Sequence, residues 1–368
     1  MIPDDTIFCR VGTALPNLTT KQEGAGLHRH MPIGIDGAVV AWKISRTEAW
    51  VRTKDPVTHH GFRPLQSQIE QYGSFRRMMY INSLGGKDAS CREVPRVGDR
   101  PRVAVFGDSF AEGWGLPYEQ SLPGHLQEMV RTKGIEVLGF GVASYCPSLT
   151  EKWMRKLLDL GVRWNMAVVL IDAGDAWEET HEYKDFIEGR QKMKPLNKPR
   201  FFKLKWYEYS LTVQTVTTLH QFLFSKKQAL SDWEVVQEGN IWKLQWLQKP
   251  EAKTWLRDGL MQEGQAVERI LKMGREHDFC VLLVTYPYPI MMAHGWLVNE
   301  HTSYWKEFAW KNSVALADVS SDFAEKGTRP EETYRKYFIP GDFHWNNEGN
   351  NLVAKALVRR IIEKIASP

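Results

Sequence analysis

The sequence predicts an α/β protein built on a parallel sheet with helices on its faces, and three observations carry that reading. From Arg102 onward, short β-rich runs alternate with amphipathic stretches. The stretches between the runs show helical rather than strand periodicity. The polar residues that could do chemistry fall just after the carboxyl ends of different runs, which is where open α/β sheets bind ligands.

The expected strands, in order, are Arg102 to Phe106, Glu136 to Phe140, Met166 to Ile171, Val281 to Tyr286 and Val314 to Asp318. Between the second and third, Ser148-Leu149-Thr150-Glu151 reads as a capping box. The helix it opens places Trp153, Met154, Leu157 and Leu158 on one face and stops near Gly161. A last helix is expected from about Asn347 to Ile365, with Leu352, Val353, Ala356, Leu357, Ile361 and Ile362 at helical spacing. Residues 1–100 mix short strand-like pieces with Gly, Pro and His, and read as an N-terminal extension or small β-rich subdomain. The run from about Trp177 to Asp258, rich in Trp, Lys and Phe, reads as an insertion.

At 368 residues with 43% hydrophobic content, the chain can bury a sizeable core in one large domain or two smaller ones. A formal charge of +4 is too weak a bias to imply nucleic acid, and no zinc-finger, recognition-helix or RNA-stacking signature is present. The longest apolar runs are strand-sized, well short of the roughly 20 residues that cross a bilayer. No charged start followed by an apolar stretch marks the N-terminus, so the sequence as it stands is expected to be cytoplasmic, or extracytoplasmic if a signal was removed.

Cys9, Cys91, Cys146 and Cys280 lack C-x-x-C spacing and read as free thiols, with Cys146 close to an expected site loop. His28, His30, His59 and His60 have no carboxylate or cysteine at ligand spacing and read as surface histidines, so no metal is expected. Within the insertion, Arg190, Lys192, Lys194, Lys198, Arg200, Lys203 and Lys205 have no acidic residue among them. The run reads either as a solvated face or as a contact for an anionic polymer or membrane surface through Lys192 to Lys205.

Two constellations carry chemistry. In Val103-Ala104-Val105-Phe106-Gly107-Asp108-Ser109-Phe110, a buried strand ends on a serine, although Gly-Asp-Ser is also a common turn. In Gly341-Asp342-Phe343-His344-Trp345-Asn346, a carboxylate and a histidine two residues apart on an extended loop point the same way. A neutral histidine can take a serine proton, and a carboxylate fixes its tautomer and stabilises the imidazolium. The bland alternative for the second block is a turn in which Asn346 or Asn347 caps the final helix.

Taken together, Gly107-Asp108-Ser109-Phe110 followed by Gly113-x-Gly115, and Asp342-x-His344-Trp345-Asn346-x-x-Gly349 before the last helix, resemble the SGNH/GDSL hydrolase superfamily. The resemblance begins near Asn82-Ser83-Leu84-Gly85 and takes in the Gly139 to Ser148 loop and Tyr286-Pro287-Tyr288-Pro289. It implies a flavodoxin-like three-layer α/β/α fold with a five-stranded parallel sheet over 101–368, and a triad of Ser109, His344 and Asp342. It also implies an oxyanion loop amide from Gly141 or Ser144, and a side-chain donor after the third strand, where this chain has Gly174 in Asp172-Ala173-Gly174-Asp175. Asp172 or Asp175 could orient an acceptor hydroxyl there, or simply form a turn. The Asp-x-His-Trp block, with Trp345 as a substrate-side candidate, is similar to that of alginate-type polysaccharide O-acetyltransferases. The expectation is a serine esterase for small acyl groups needing no metal or organic cofactor. O-acyl transfer to a glycan or other hydroxyl is the first alternative, and a catalytically weak binding protein the second.

Overall fold

The computed structural model describes residues 51–72, 75–191, 233, 243–247, 253–324 and 328–366. Most of the expected insertion lies outside the described residues, as do the Lys192 to Lys205 run, Cys9, His28 and His30.

Ten strands are described: β1 (Arg52–Asp55), β2 (His59–Phe62), β3 (Ser67–Tyr72), β4 (Phe75–Ile81), β5 (Lys87–Asp88), β6 (Arg102–Phe106), β7 (Glu136–Gly139), β8 (Met166–Ile171), β9 (Cys280–Thr285) and β10 (Ala315–Asp318). β1 and β2 pair as a separate antiparallel hairpin, and the other eight form one sheet in the order β10-β9-β8-β6-β7-β5-β4-β3. From β6 to β10 every neighbouring pair is parallel. Numbered within that stretch of chain, the order is second-first-third-fourth-fifth, the flavodoxin-like arrangement.

Among the described residues of the expected N-terminal extension, part joins this sheet. β3, β4 and β5 extend it by three antiparallel strands, β5 pairing with β7 through Lys87 and Gly139. The expected five-stranded sheet is therefore the parallel part of an eight-stranded one.

Side-chain alternation explains the three layers. In β6, Val103 and Val105 point into one core and Ala104 and Phe106 into another. β8 repeats the pattern, with Met166, Val168 and Leu170 on the first face and Ala167, Val169 and Ile171 on the second. The first face is covered by α2 (Leu122–Val130) through Leu122 and Leu126, and by α6 (Asn347–Ala366) through Val353, Leu357 and Ile361. The second is covered by α3 (Pro147–Asp159), α4 (Lys253–His277) and α5 (Glu300–Lys311), which bring in Leu157, Ile270 and Trp305 among others. The short α1 (Ser109–Glu112) follows β6 directly. Because both faces are covered, the central strands read as continuous apolar runs. No helix among the described residues is long and apolar enough to cross a membrane.

The start of α3 corrects the capping-box expectation. The helix begins two residues earlier, with Pro147 in its first turn and Cys146 as an N-cap whose side chain makes no capping bond. Its exposed amide is met from outside, since the Ser148 N–H donates to Glu179 Oε1 at 2.8 Å. At the last helix Asn346 is the cap, its Oδ1 accepting from the Gly349 N–H at 3.0 Å.

Gly107 makes the turn from β6 into α1 possible. Its φ is +138°, and a Cβ there would lie 2.8 Å from Leu170 Cβ and 3.0 Å from Leu170 O. Gly107→Ala is expected to cost roughly 1–3 kcal/mol from overpacking, with backbone strain added. Denaturant unfolding of the variant at unchanged m-value measures it, and a loss below about 0.5 kcal/mol, the scale of a surface substitution, would contradict the constraint.

Candidate active site

The parallel strands deliver their following loops to one rim of the sheet. Ser109 follows β6, Gly141 to Ser144 follow β7, Gly174 follows β8, and Tyr286 and Tyr288 follow β9. His344 reaches the same rim from the loop before α6. A β-bridge between Phe338 and Trp345 closes that loop, and Asp342 N–H donates to Ile339 O at 3.0 Å.

Ser109, His344 and Asp342 are brought together. Ser109 Oγ lies 2.7 Å from His344 Nε2, and His344 Nδ1 lies 2.6 Å from Asp342 Oδ1. The His344 N–H also donates to that Oδ1, at 2.8 Å, so one carboxylate oxygen fixes both the backbone and the ring. Burial alone would raise the Asp342 pKa, but the bonds and charge from His344 outweigh it and hold the carboxylate below its usual range. Phe110 and Phe343 flank the imidazole, at 5.0 and 4.2 Å between ring centroids. Ser109, Gly113, Trp114 and His344 border a shallow cleft.

Gly141 presses on the serine helix. A Cβ would sit 2.2 Å from Glu112 N and 2.3 Å from Ala111 C, so only glycine allows this approach. Among the described residues, neither the Gly141 nor the Ser109 N–H has an acceptor, which leaves two amides near the serine for a ligand oxygen. Ser144, the other candidate from this loop, instead donates from Oγ to Glu178 Oε1 at 2.8 Å.

The third loop departs from the expected roles. The Gly174 N–H donates to Asp172 Oδ1, so this amide is already used. Asp175 is turned inward: its N–H donates to Asp172 Oδ1 and its Oδ2 accepts from the Asp172 N–H, both at 3.0 Å. It is 1% exposed, and burial with the charges of Asp172 and Glu178 pushes its carboxyl well up. The pair is a closed turn, with no carboxylate presented to a substrate. Trp345 lines the base of the cleft beside Ser109 and is also part of the core. It is 1% exposed and packs on Phe110 and Tyr286 at 4.7 and 4.9 Å.

Cys146 is fully buried, and burial raises its thiol well above the usual range, which removes it as a nucleophile. His59 and His60 are half-buried partners of each other, with 2.9 Å between their Nδ1 atoms. No cluster able to hold a metal occurs among the described residues.

Two networks were not foreseen. Beneath Ser109, Asp108 Oδ1 accepts from the Phe110 N–H at 2.9 Å and from the Tyr286 hydroxyl at 3.1 Å, while Tyr288 donates to Asp172 Oδ2 at 2.7 Å. Asp108 also hydrogen-bonds Asp172, and burial followed by the charge of Asp172 raises its pKa well above the ordinary range. Beside Ser109, the buried Glu112 accepts from Arg52 Nη2 at 2.5 Å and from the Ala143 N–H at 2.7 Å. The tyrosines stood in the sequence without an assigned role, and Glu112 carried no signal because its partners lie far away in the chain.

Fold and site together define a class: an open, flavodoxin-like α/β sheet with a hydrogen-bonded Ser-His-Asp array at its carboxyl rim. No family model matches the chain, and no curated protein matches it. Among solved structures it is similar to a member of the lipolytic protein G-D-S-L family from Veillonella parvula DSM 2008, at 11% identity and a TM-score of 0.40 over 70% of this chain and 96% of that one. It is also similar to Axe2, an acetylxylan esterase from Geobacillus stearothermophilus, at 11% identity and a TM-score of 0.38 over 74% and 98%. A third is TesA, at 11% identity and 0.40 over 72% and 99%. At these identities and scores, what the site does has to be read from its own residues.

The Asp108 carboxyl gives a pH test. A carboxyl whose pKa is raised on folding lowers stability above its unfolded pKa, because unfolding frees it to ionise. Asp108→Asn keeps the acceptor for Phe110 and Tyr286 and removes that penalty. The melting-temperature difference, variant minus parent, is expected to be smallest near about pH 4 and to grow in the variant's favour toward neutrality. A difference independent of pH would contradict the assignment.

Proposed function

We propose that this protein is a serine esterase of the SGNH/GDSL kind, removing small acyl groups through an acyl-serine intermediate. One observation carries the reading: the unbroken chain from Ser109 Oγ through His344 to Asp342, at 2.7 and 2.6 Å, on the rim where open α/β sheets bind ligands.

The mechanism follows from these positions. Asp342 accepts from His344 Nδ1–H, which leaves Nε2 unprotonated toward Ser109. As Ser109 Oγ bonds to the acyl carbon, its proton passes to Nε2, and the negative charge on the former carbonyl oxygen is met by the free N–H groups of Ser109 and Gly141. Collapse breaks the bond to the alcohol oxygen, which leaves with the proton from His344. Water then enters, gives a proton to Nε2 as its oxygen attacks the acyl carbon, and the acid departs while Ser109 Oγ recovers a proton.

Ser109→Ala is expected to abolish turnover of a short-chain ester and labelling by a fluorophosphonate, with an unchanged melting temperature; full turnover in that variant would overturn the mechanism. Acceleration by added glycan or other alcohols, with acylated acceptor as product, would identify transfer rather than hydrolysis.

Asp342 and His344 should act as one unit. In kcat, Asp342→Ala/His344→Ala is expected to fall within about threefold of His344→Ala alone, since groups sharing one task are strongly non-additive. Independent, multiplying losses would require separate roles.

A further inference from the structure

Gly174 has no side chain, yet the space above it is filled. Its φ of −90° and ψ of −16° are open to any residue, so the backbone does not demand glycine. A Cβ there would lie 3.0 Å from Asp172 Oδ1, 3.2 Å from Lys243 Cδ and 3.5 Å from Lys243 Cβ. The stem of a lysine remote in sequence occupies the place a side chain at 174 would take.

Lys243 is pinned there by its neighbours. Leu244 and Trp246 are buried, and Trp246 Nε1–H donates to the carbonyl of Ala173, the residue before Gly174, at 3.3 Å. Its ammonium pairs with Glu178 Oε1, the same oxygen that accepts from Ser144 Oγ. Ser144 holds φ at +65°, uncommon for a residue with a side chain, and the bond to Glu178 helps hold it. Burial opposes the lysine's charge, but Glu178 and Asp172 outweigh it and keep the ammonium protonated. A cation is thereby fixed between the loops that follow β7 and β8.

We propose that Lys243 is a positioning residue standing in for the side-chain donor absent at Gly174: it fills that donor's space, braces Ser144 through Glu178, and places positive charge beside the loop that carries the free Gly141 amide. This rests on the reading of Ser109 as nucleophile. An asparagine at 174 is useful only once the lysine stem has gone. In the parent, Gly174→Asn must push Lys243 aside and brings no gain.

The test is a double-mutant cycle on a short-chain ester with the full-length protein. Lys243→Met is expected to lower kcat by about 10²-fold with KM changed less than about threefold, and Lys243→Arg to restore most of the loss. Gly174→Asn alone is expected to equal or fall below the parent, whereas Gly174→Asn/Lys243→Ala, in which the stem is removed, should exceed Lys243→Ala by about tenfold or more. Should Lys243→Met fail to fold because Glu178 has lost its counter-charge, Lys243→Met/Glu178→Gln removes the pair together and is expected to show the same kcat loss. Full turnover in either lysine-free protein, with Ser109 still labelled by fluorophosphonate, would overturn the inference alone. Simple multiplication of the two single effects would do the same. Loss of the Ser109 role would appear instead as full turnover in Ser109→Ala, and would take both readings with it.

Discussion

A carboxylate with almost no access to water sits at the end of the helix that carries Ser109, and much of the architecture follows from compensating it. Glu112 is 2% exposed, and burial alone would make it neutral. Arg52, Lys87 and the Ala143 amide together keep it ionised. Each belongs to a different part of the chain: the β1–β2 hairpin, the antiparallel edge and the loop after β7. An unpaired buried charge of this kind typically costs 3–5 kcal/mol, so about that much depends on these three parts remaining in place. Arg52 also lies over the ring of Trp114 at 4.7 Å, and Trp114 borders His344.

The floor of the site uses a different solution to the same problem. Asp108 and Asp172 are buried, hydrogen-bonded carboxyls, and the raised pKa of Asp108 favours its neutral form. Tyr286 and Tyr288 donate to the pair from the loop after β9. The nucleophile thus rests on a buried, hydrogen-bonded carboxyl layer, with the Glu112–Arg52 pair to its side.

Much of this was legible in the sequence because doubly covered strands leave a strong mark. β6 and β8 lie at the positions expected, and β7, β9 and β10 within one residue at each end. Ser109, Asp342 and His344 stood in two compact blocks, and the strand order brings those blocks together. β3 to β5 were not legible: Ser67–Tyr72 is largely polar, and Lys87–Asp88 is too short for periodicity to register. Lys243 was hidden for another reason. Its ion-pair partner Glu178 lies 65 positions away in the chain, so no local spacing marks the pair. Asp175 was misplaced because sequence gives the strand end on which a residue falls but not whether its side chain turns into the core.

The antiparallel strands also bear on modularity. Motifs and apolar runs both suggest a self-sufficient unit starting near residue 101. Yet Lys87, from β5, sends its ammonium into the carbonyls of Gly113 and Leu116 beyond the serine, while its backbone covers the open side of β7. The chain is therefore not severable where its motifs begin. Removing the first hundred residues would bare a sheet edge and strip two cations from a buried acid, so the smallest cooperative unit is larger than the smallest recognisable one.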